Sequence, residues 1–170
     1  FRRVLFRSKP QAGSALSVAM EGSRAIILEV QALVCESTFP NPKRSATGFD
    51  SNRLTMLLAL LEKKLDLPFN RYDVFVNISG GMKIKESSAD LAVIAAIISS
   101  FRNRPISKES VFIGEVSLTG EIKDVYSMEN RLKEASAQGI TKAIIATKPS
   151  IKIEMKCFAV DEVAKMIELF

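Results

Sequence analysis

Apolar residues recur at every second position early in the chain and at helical spacing later, and these periods place the elements. After a turn at Pro10 and Gly13, Ala15 to Met20 reads as a short strand, and Glu21-Gly22-Ser23 as a tight connection that makes a hairpin. In the second strand, Ala25 to Val34, Leu28, Val30, Ala32 and Val34 alternate with Glu29 and Gln31, the pattern of a sheet covered on one face. The prolines in Phe39-Pro40-Asn41-Pro42-Lys43-Arg44-Ser45 lack amide donors and fix φ, so an irregular loop is expected. Asp50 or Ser51 then caps a helix whose Leu54, Leu57, Leu58, Leu61 and Leu65 share one face, ending near Pro68.

Further on, Asp73 to Ser79 predicts a strand, Gly80-Gly81 a turn, and Ser88 to Phe101 a helix apolar nearly all round, hence buried. Val111 to Val116 predicts another strand, with Gly114 and Gly120 bracketing a turn. Met128 to Ala137 predicts a helix with Met128, Leu132 and Ala135 inward and Gly139 as its stop. Strands at Ala143 to Ala146 and Lys156 to Ala159 precede a last helix carrying Val163, Met166, Ile167 and Phe170, capped by Asp161. The order gives an α/β (α+β) domain, a mixed sheet with a buried central helix and flanking helices. There is no internal repeat and no low-complexity segment.

Composition narrows this picture. A chain of 170 residues with 47% hydrophobic positions supports one domain with its own core. Cys35 and Cys157 form no metal-ligand spacing and the chain has no histidine, so neither a zinc set nor a disulfide framework is expected, only buried or idle thiols. The net charge of +5 suggests nucleic acid, but Arg2, Arg3, Arg7 and Lys9 supply four of the 24 basic residues. Without them the balance is 20 against 19, so a nucleic-acid claim must rest on local clusters. Residues 1–9 read as a basic leader, a linker or an artefact, and residues 10–170 as the domain. The longest apolar run, Leu91 to Ile98, is too short to cross a bilayer and no secretory leader opens the chain, so a cytoplasmic protein is expected.

Ser88 is the residue that invites a chemical reading. Without histidine its base would have to be lysine, aspartate or glutamate, while a serine at a helix start is equally a natural N-cap. Both readings stand on the residues alone. No GxxxxGK[ST] loop is present, so ATP binding is not expected. Glu115 and Glu121 read as solvated hairpin carboxylates, and Glu86 and Asp90 as ordinary acids at a helix N-terminus.

The surroundings of Ser88 resemble the proteolytic domain of the Lon family. Glu86-Ser87-Ser88-Ala89-Asp90 stands where that family carries its serine, Ile113-Gly114-Glu115-Val116-Ser117-Leu118-Thr119-Gly120 matches its Thr-Gly-Glu turn, and Ser127-Met128-Glu129-Asn130-Arg131-Leu132 matches the helix bearing its lysine base. Ser88 falls on the serine and Arg131 on the lysine. Lysine, at about 10.4, can be lowered by burial into a base, whereas arginine, above about 12, stays protonated. The resemblance thus implies a Lon-like fold with a degenerate dyad, Ser88 and Arg131. A peptidase using Ser88 with Lys83 or Lys85 is the alternative.

A more specific resemblance covers residues 10 to 170. Met20-Glu21-Gly22-Ser23-Arg24, Glu29-Val30-Gln31-Ala32-Leu33-Val34, Gly48-Phe49-Asp50-Ser51-Asn52-Arg53-Leu54, Asp73-Val74-Phe75-Val76-Asn77 and Ser88-Ala89-Asp90-Leu91-Ala92 resemble the C-terminal Lon-like domain of the RadA/Sms family of bacterial DNA repair proteins. That resemblance implies a non-proteolytic oligomerisation scaffold, a homo-oligomer closing as a hexameric ring. It also implies contact with single-stranded or branched DNA, a recombinase as a further partner, and no membrane. The parent would be a DNA-dependent ATPase in branch migration, with ATP, magnesium and zinc held by segments outside this chain and no cofactor here. Candidate DNA contacts are Lys43, Arg44 and Arg53, and Arg102, Arg104 and Lys108; with no aromatic interleaved, backbone rather than base contact is expected.

Overall fold

A computed structural model of the chain describes residues 9–170, so the basic leader lies, but for Lys9, outside the described residues. The early pattern holds: β1 (Ser14–Glu21) and β2 (Arg24–Glu36) form an antiparallel hairpin closed at Glu21 and Arg24. β3 (Arg44–Thr47) follows, then helix α1 (Ser51–Leu65) and β4 (Tyr72–Ile78). Asp50 caps α1, its carboxylate accepting from the Asn52 and Arg53 amides at 2.7 and 3.1 Å. The buried helix α2 (Asp90–Arg102) precedes β5 (Ser110–Phe112) and the small antiparallel hairpin β6 (Glu115–Val116) and β7 (Ile122–Lys123). Helix α3 (Met128–Ala137), β8 (Lys142–Ile145), β9 (Lys156–Ala159) and the short α4 (Val163–Met166) complete the described chain.

The main sheet runs β3-β4-β2-β1-β5-β8-β9. The β4-β2 and β2-β1 pairs are antiparallel and the other four pairs parallel, which makes a mixed α/β domain. One core lies between the sheet and α1 and α2, where Leu91 to Ile98 are all fully buried. A second, smaller core on the opposite face gathers Leu16, Val18 and Ile27 with Leu132 and Ala135 of α3. The expectation that β2 is covered on one face therefore holds only toward its C-terminal end, where Gln31 and Leu33 are exposed. Nearer the hairpin, α3 covers the other face too.

Four further expectations need correcting. The strand expected over Val111 to Val116 breaks at Gly114, whose amide donates to the Ser88 carbonyl at 3.0 Å and whose carbonyl accepts from Leu91 at 3.2 Å. Its backbone serves the start of α2 instead of a ladder. Arg44 and Ser45, expected as loop, instead open a strand, Arg44 to Thr47, that pairs in parallel with Val74 to Asn77, because the prolines end before it. Asp161 does not cap α4; its carboxylate pairs with Lys165 at 2.8 Å, four residues on. Ser88 does not cap α2 either: it sits in a 3-10 turn, Ser87–Ala89, and its hydroxyl points elsewhere. Of the two thiols expected to be buried or idle, Cys35 is exposed and Cys157 half-buried. Among the described residues no helix is long and apolar enough to cross a membrane.

Gly48, between β3 and α1, fixes the approach of the segment that leads to Ser88. Its φ is +79°, and a Cβ there would lie 2.3 Å from the Met82 carbonyl oxygen. Its own carbonyl accepts from the Ile84 amide at 2.8 Å. Only glycine permits both the left-handed backbone and this contact.

Candidate functional site

Ser88 and Arg131 do meet, but through a third residue. Glu86, two residues before the serine, accepts the Ser88 hydroxyl on Oε1 at 2.5 Å and receives the Arg131 guanidinium with both oxygens, Nη1 to Oε1 at 2.7 Å and Nη2 to Oε2 at 3.0 Å. Arg131 enters from the first turns of α3, where Leu132 and Ala135 anchor the helix in the second core. Its side chain has no solvent exposure, and the Tyr126 ring lies 5.0 Å from the guanidinium carbon.

The same two side chains occupy a sheet edge. Beyond Leu16, which pairs with Val111, β1 has no strand neighbour on the β5 side among the described residues. There the Val18 carbonyl accepts from Arg131 Nη1 at 2.8 Å, and the Met20 amide donates to Glu86 Oε1 at 3.2 Å. Arg131 Nε donates to the Tyr126 carbonyl at 3.0 Å. The Arg131–Glu86 pair thus supplies a donor and an acceptor that a neighbouring strand would otherwise provide, which satisfies backbone groups that burial would leave costly. A groove of about 470 Å³ runs beside it, between the end of the β1-β2 hairpin and the segment Met82 to Glu86.

Electrostatics decides what this constellation can do. Burial disfavours the Glu86 charge, yet hydrogen bonds from Arg131, Ser88 and the Met20 amide outweigh it and hold its pKa down to about 2. A carboxylate so weakly basic is a poor acceptor for a serine proton. The serine itself is 1% exposed. Lys83 and Lys85, the alternative bases, are exposed along the groove, and the hydrogen bond that the Ser88 hydroxyl donates goes to Glu86.

A second buried ion pair lies one turn further along the chain. Asp90, with no exposure, receives Arg53 Nε at 2.6 Å and Nη2 on its other oxygen, and accepts the Val116 amide at 3.0 Å. Glu115 stands 3.8 Å from the same guanidinium. Burial raises the Asp90 pKa despite the Arg53 partner. The pair ties α1 to the start of α2 and to the β6-β7 hairpin, so Asp90 acts as a structural tie and not as a dipole-complementing surface acid.

The expected DNA clusters come apart in three dimensions. Arg53 is taken up by Asp90, and Arg44 donates to the Phe69 carbonyl at 2.7 Å and pairs with Glu62 at 3.4 Å. Lys43 is exposed, its ammonium 5.5 Å from the Phe39 ring centroid. Lys108 is 8% exposed and held by Glu29 and, at 2.8 Å, by the Ser14 hydroxyl. Burial opposes the Glu29 charge, but its Lys108 and Ser14 hydrogen bonds lower its pKa. Arg102 and Arg104 remain exposed, Arg102 donating to the Ile167 carbonyl at 3.2 Å.

Glu86 is the residue that sequence reasoning undervalued. Part of its signal was available: a buried arginine needs a carboxylate, and Glu86 and Asp90, each two residues from Ser88, are the two acids flanking the serine along the chain.

Comparison with known proteins places this geometry in a lineage. Residues 46–149 match the family described as subunit ChlI of Mg-chelatase. The DNA repair protein RadA of Campylobacter jejuni is 61% identical over 166 residues, 98% of this chain and 37% of the relative. The RadA of Helicobacter pylori is 55% identical over 96% of this chain and 37% of the relative, and that of Bacillus subtilis 45% identical over 82% and 30%. The chain therefore spans about a third of the length of the curated relatives it matches. It belongs to the family described as subunit ChlI of Mg-chelatase and is homologous to a segment of the bacterial DNA repair protein RadA.

Proposed function

We propose that this chain is a Lon-like, non-proteolytic domain that serves a RadA-type DNA repair protein as an oligomerisation scaffold, a hexameric ring, with exposed cations contacting DNA. The observation that carries the reading is the Ser88 hydroxyl donating to a carboxylate whose basicity Arg131 has removed. Homology to RadA over nearly the whole chain supports the repair setting. ATP hydrolysis, with its magnesium and any zinc, belongs on this reading to the remainder of the longer protein, and a recombinase is its partner there. Lys43, Arg102 and Arg104 are the earlier DNA candidates that stay accessible, whereas Arg44, Arg53 and Lys108 are engaged within the fold.

Two measurements test it. Light scattering across micromolar concentrations should show a ring, and a strict monomer would remove the scaffold role. Casein and peptide substrates should be left intact by the wild-type chain. Turnover abolished by Ser88→Ala would instead support a Ser88 peptidase, with Lys83 or Lys85 as its base.

A further inference from the structure

One end of the main sheet carries a cationic rim around an apolar depression, away from Ser88. β9 is the last strand in the sheet order. Lys142 opens β8 and Lys156 opens β9, and the two are direct cross-strand partners, so both side chains leave the same face. Both are exposed. Adjacent strands stand about 4.8 Å apart, and like charges placed directly opposite repel. An anion between them would turn that repulsion into attraction.

The Lys156 ammonium lies 5.1 Å from the Phe158 ring centroid. Phe158 and Lys142 line a depression of about 190 Å³ together with Phe112, Ile144 and Phe170. Pro105 on its rim follows the exposed Arg104, and Arg102 is fastened nearby at the Ile167 carbonyl. Glu109, whose carbonyl accepts the Lys142 amide, Glu154, two residues before Lys156, and Glu168 are exposed acids near this patch along the chain. β9 carries Lys156 and Phe158 on one face, so an aromatic stands beside the basic residues here.

We propose that this patch is a nucleotide subsite for single-stranded nucleic acid, with a phosphate held by Lys142 and Lys156 and a base entering the depression beside Phe158. An apolar cavity of about 150 Å³ admits one benzene ring, so this volume suits a single pyrimidine ring. A nucleotide carries a flat ring and an anion one sugar apart, matching an apolar floor with a cationic rim. An acidic peptide offers the anion without the ring. The inference rests on the DNA-contact reading above and assigns it a place and a mode.

The test is fluorescence anisotropy with labelled oligothymidylate, an abasic strand of the same length, and unlabelled thymidine monophosphate as competitor. Lys142→Ala with Lys156→Ala should weaken oligothymidylate binding about tenfold and reduce the salt slope by about 1.4, two phosphate contacts' worth. Phe158→Leu should lower affinity about fivefold for oligothymidylate but not for the abasic strand. The charge-matched pair Lys63→Ala with Lys64→Ala, on α1, should behave as wild type. If wild type binds but the lysine pair changes nothing, this site is wrong while DNA contact elsewhere stands. If wild type binds no strand at low salt, the DNA-contact reading falls with it. Equal affinity for the abasic strand would overturn base entry, and competition by the free monophosphate at stoichiometric concentration would overturn the strand assignment.

Discussion

Removing both partners of the Glu86–Arg131 pair should cost clearly less than the sum of removing each alone, and the structure sets the size of the difference. In Glu86→Ala, a guanidinium with no solvent exposure keeps only the Val18 and Tyr126 carbonyls. An uncompensated buried charge of this kind costs about 3–5 kcal/mol. Arg131→Met leaves Glu86, 19% exposed, with Ser88 and the Met20 amide, so its cost should be nearer 2–3 kcal/mol, as for a broken charged hydrogen bond. In Glu86→Gln with Arg131→Met no charge is stranded, and the loss should fall short of the sum of Glu86→Gln and Arg131→Met by about 2 kcal/mol. Urea denaturation followed by far-ultraviolet circular dichroism measures all four proteins. The acid limb gives an independent check: the Glu86 pKa is lowered from 4.5 to about 2, so its contribution is present above pH 4.5 and lost as pH falls toward 2. That difference corresponds to about 3 kcal/mol, which Glu86→Gln should remove from the pH dependence. Additive single-variant losses, with an unchanged acid limb in Glu86→Gln, would refute the network as the element that holds this edge.

Other perturbations have equally definite outcomes. Arg53→Met strands the fully buried Asp90 and should cost about 3–5 kcal/mol by the same denaturation assay, with the loss shrinking at acid pH as Asp90 protonates. Gly48→Ala should cost more than about 1–2 kcal/mol, because its Cβ meets the Met82 carbonyl at 2.3 Å in a left-handed backbone. Asp50→Ala should cost about 1 kcal/mol, read as a lower urea midpoint with unchanged slope. With a thiol-specific chromogenic disulfide, Cys35 should react quickly and Cys157, whose thiol is pushed up by burial, slowly; equal rates would contradict the packing of β9.

Periodicity made most of this fold legible. The leucines of α1, the unbroken apolar run of α2 and the alternation in β2 each declare their environment, because burial on one side, on all sides or on alternate positions leaves distinct repeats. Two features escaped for physical reasons. β3 is a four-residue strand whose membership depends on pairing with β4, a non-local contact that leaves little local pattern. The break at Gly114 is imposed by Ser88 and Leu91, distant in sequence. At the site, Ser88 and Arg131 were readable as a pair only through family resemblance, while the placement of Arg53 and Lys108 was not readable at all. A basic residue looks alike in sequence whether it faces solvent or a buried carboxylate such as Asp90 or Glu29.

Arginine in place of lysine at position 131 changes more than one pKa. A lysine would offer donors from a single point and could be driven neutral by burial, whereas guanidinium presents a planar fork that stays charged. Here the fork spans Glu86, the Val18 carbonyl and the Tyr126 carbonyl at once, so the charge that prevents Arg131 acting as a base also closes the edge of β1. Arg131→Lys should therefore lose part of this span, costing about 1–3 kcal/mol in urea denaturation, without yielding a peptidase, because Glu86 would still hold both the new ammonium and the Ser88 hydroxyl. Casein cleavage by Arg131→Lys that disappears in Arg131→Lys with Ser88→Ala would refute that account. It would show that the arginine alone separates this domain from catalysis.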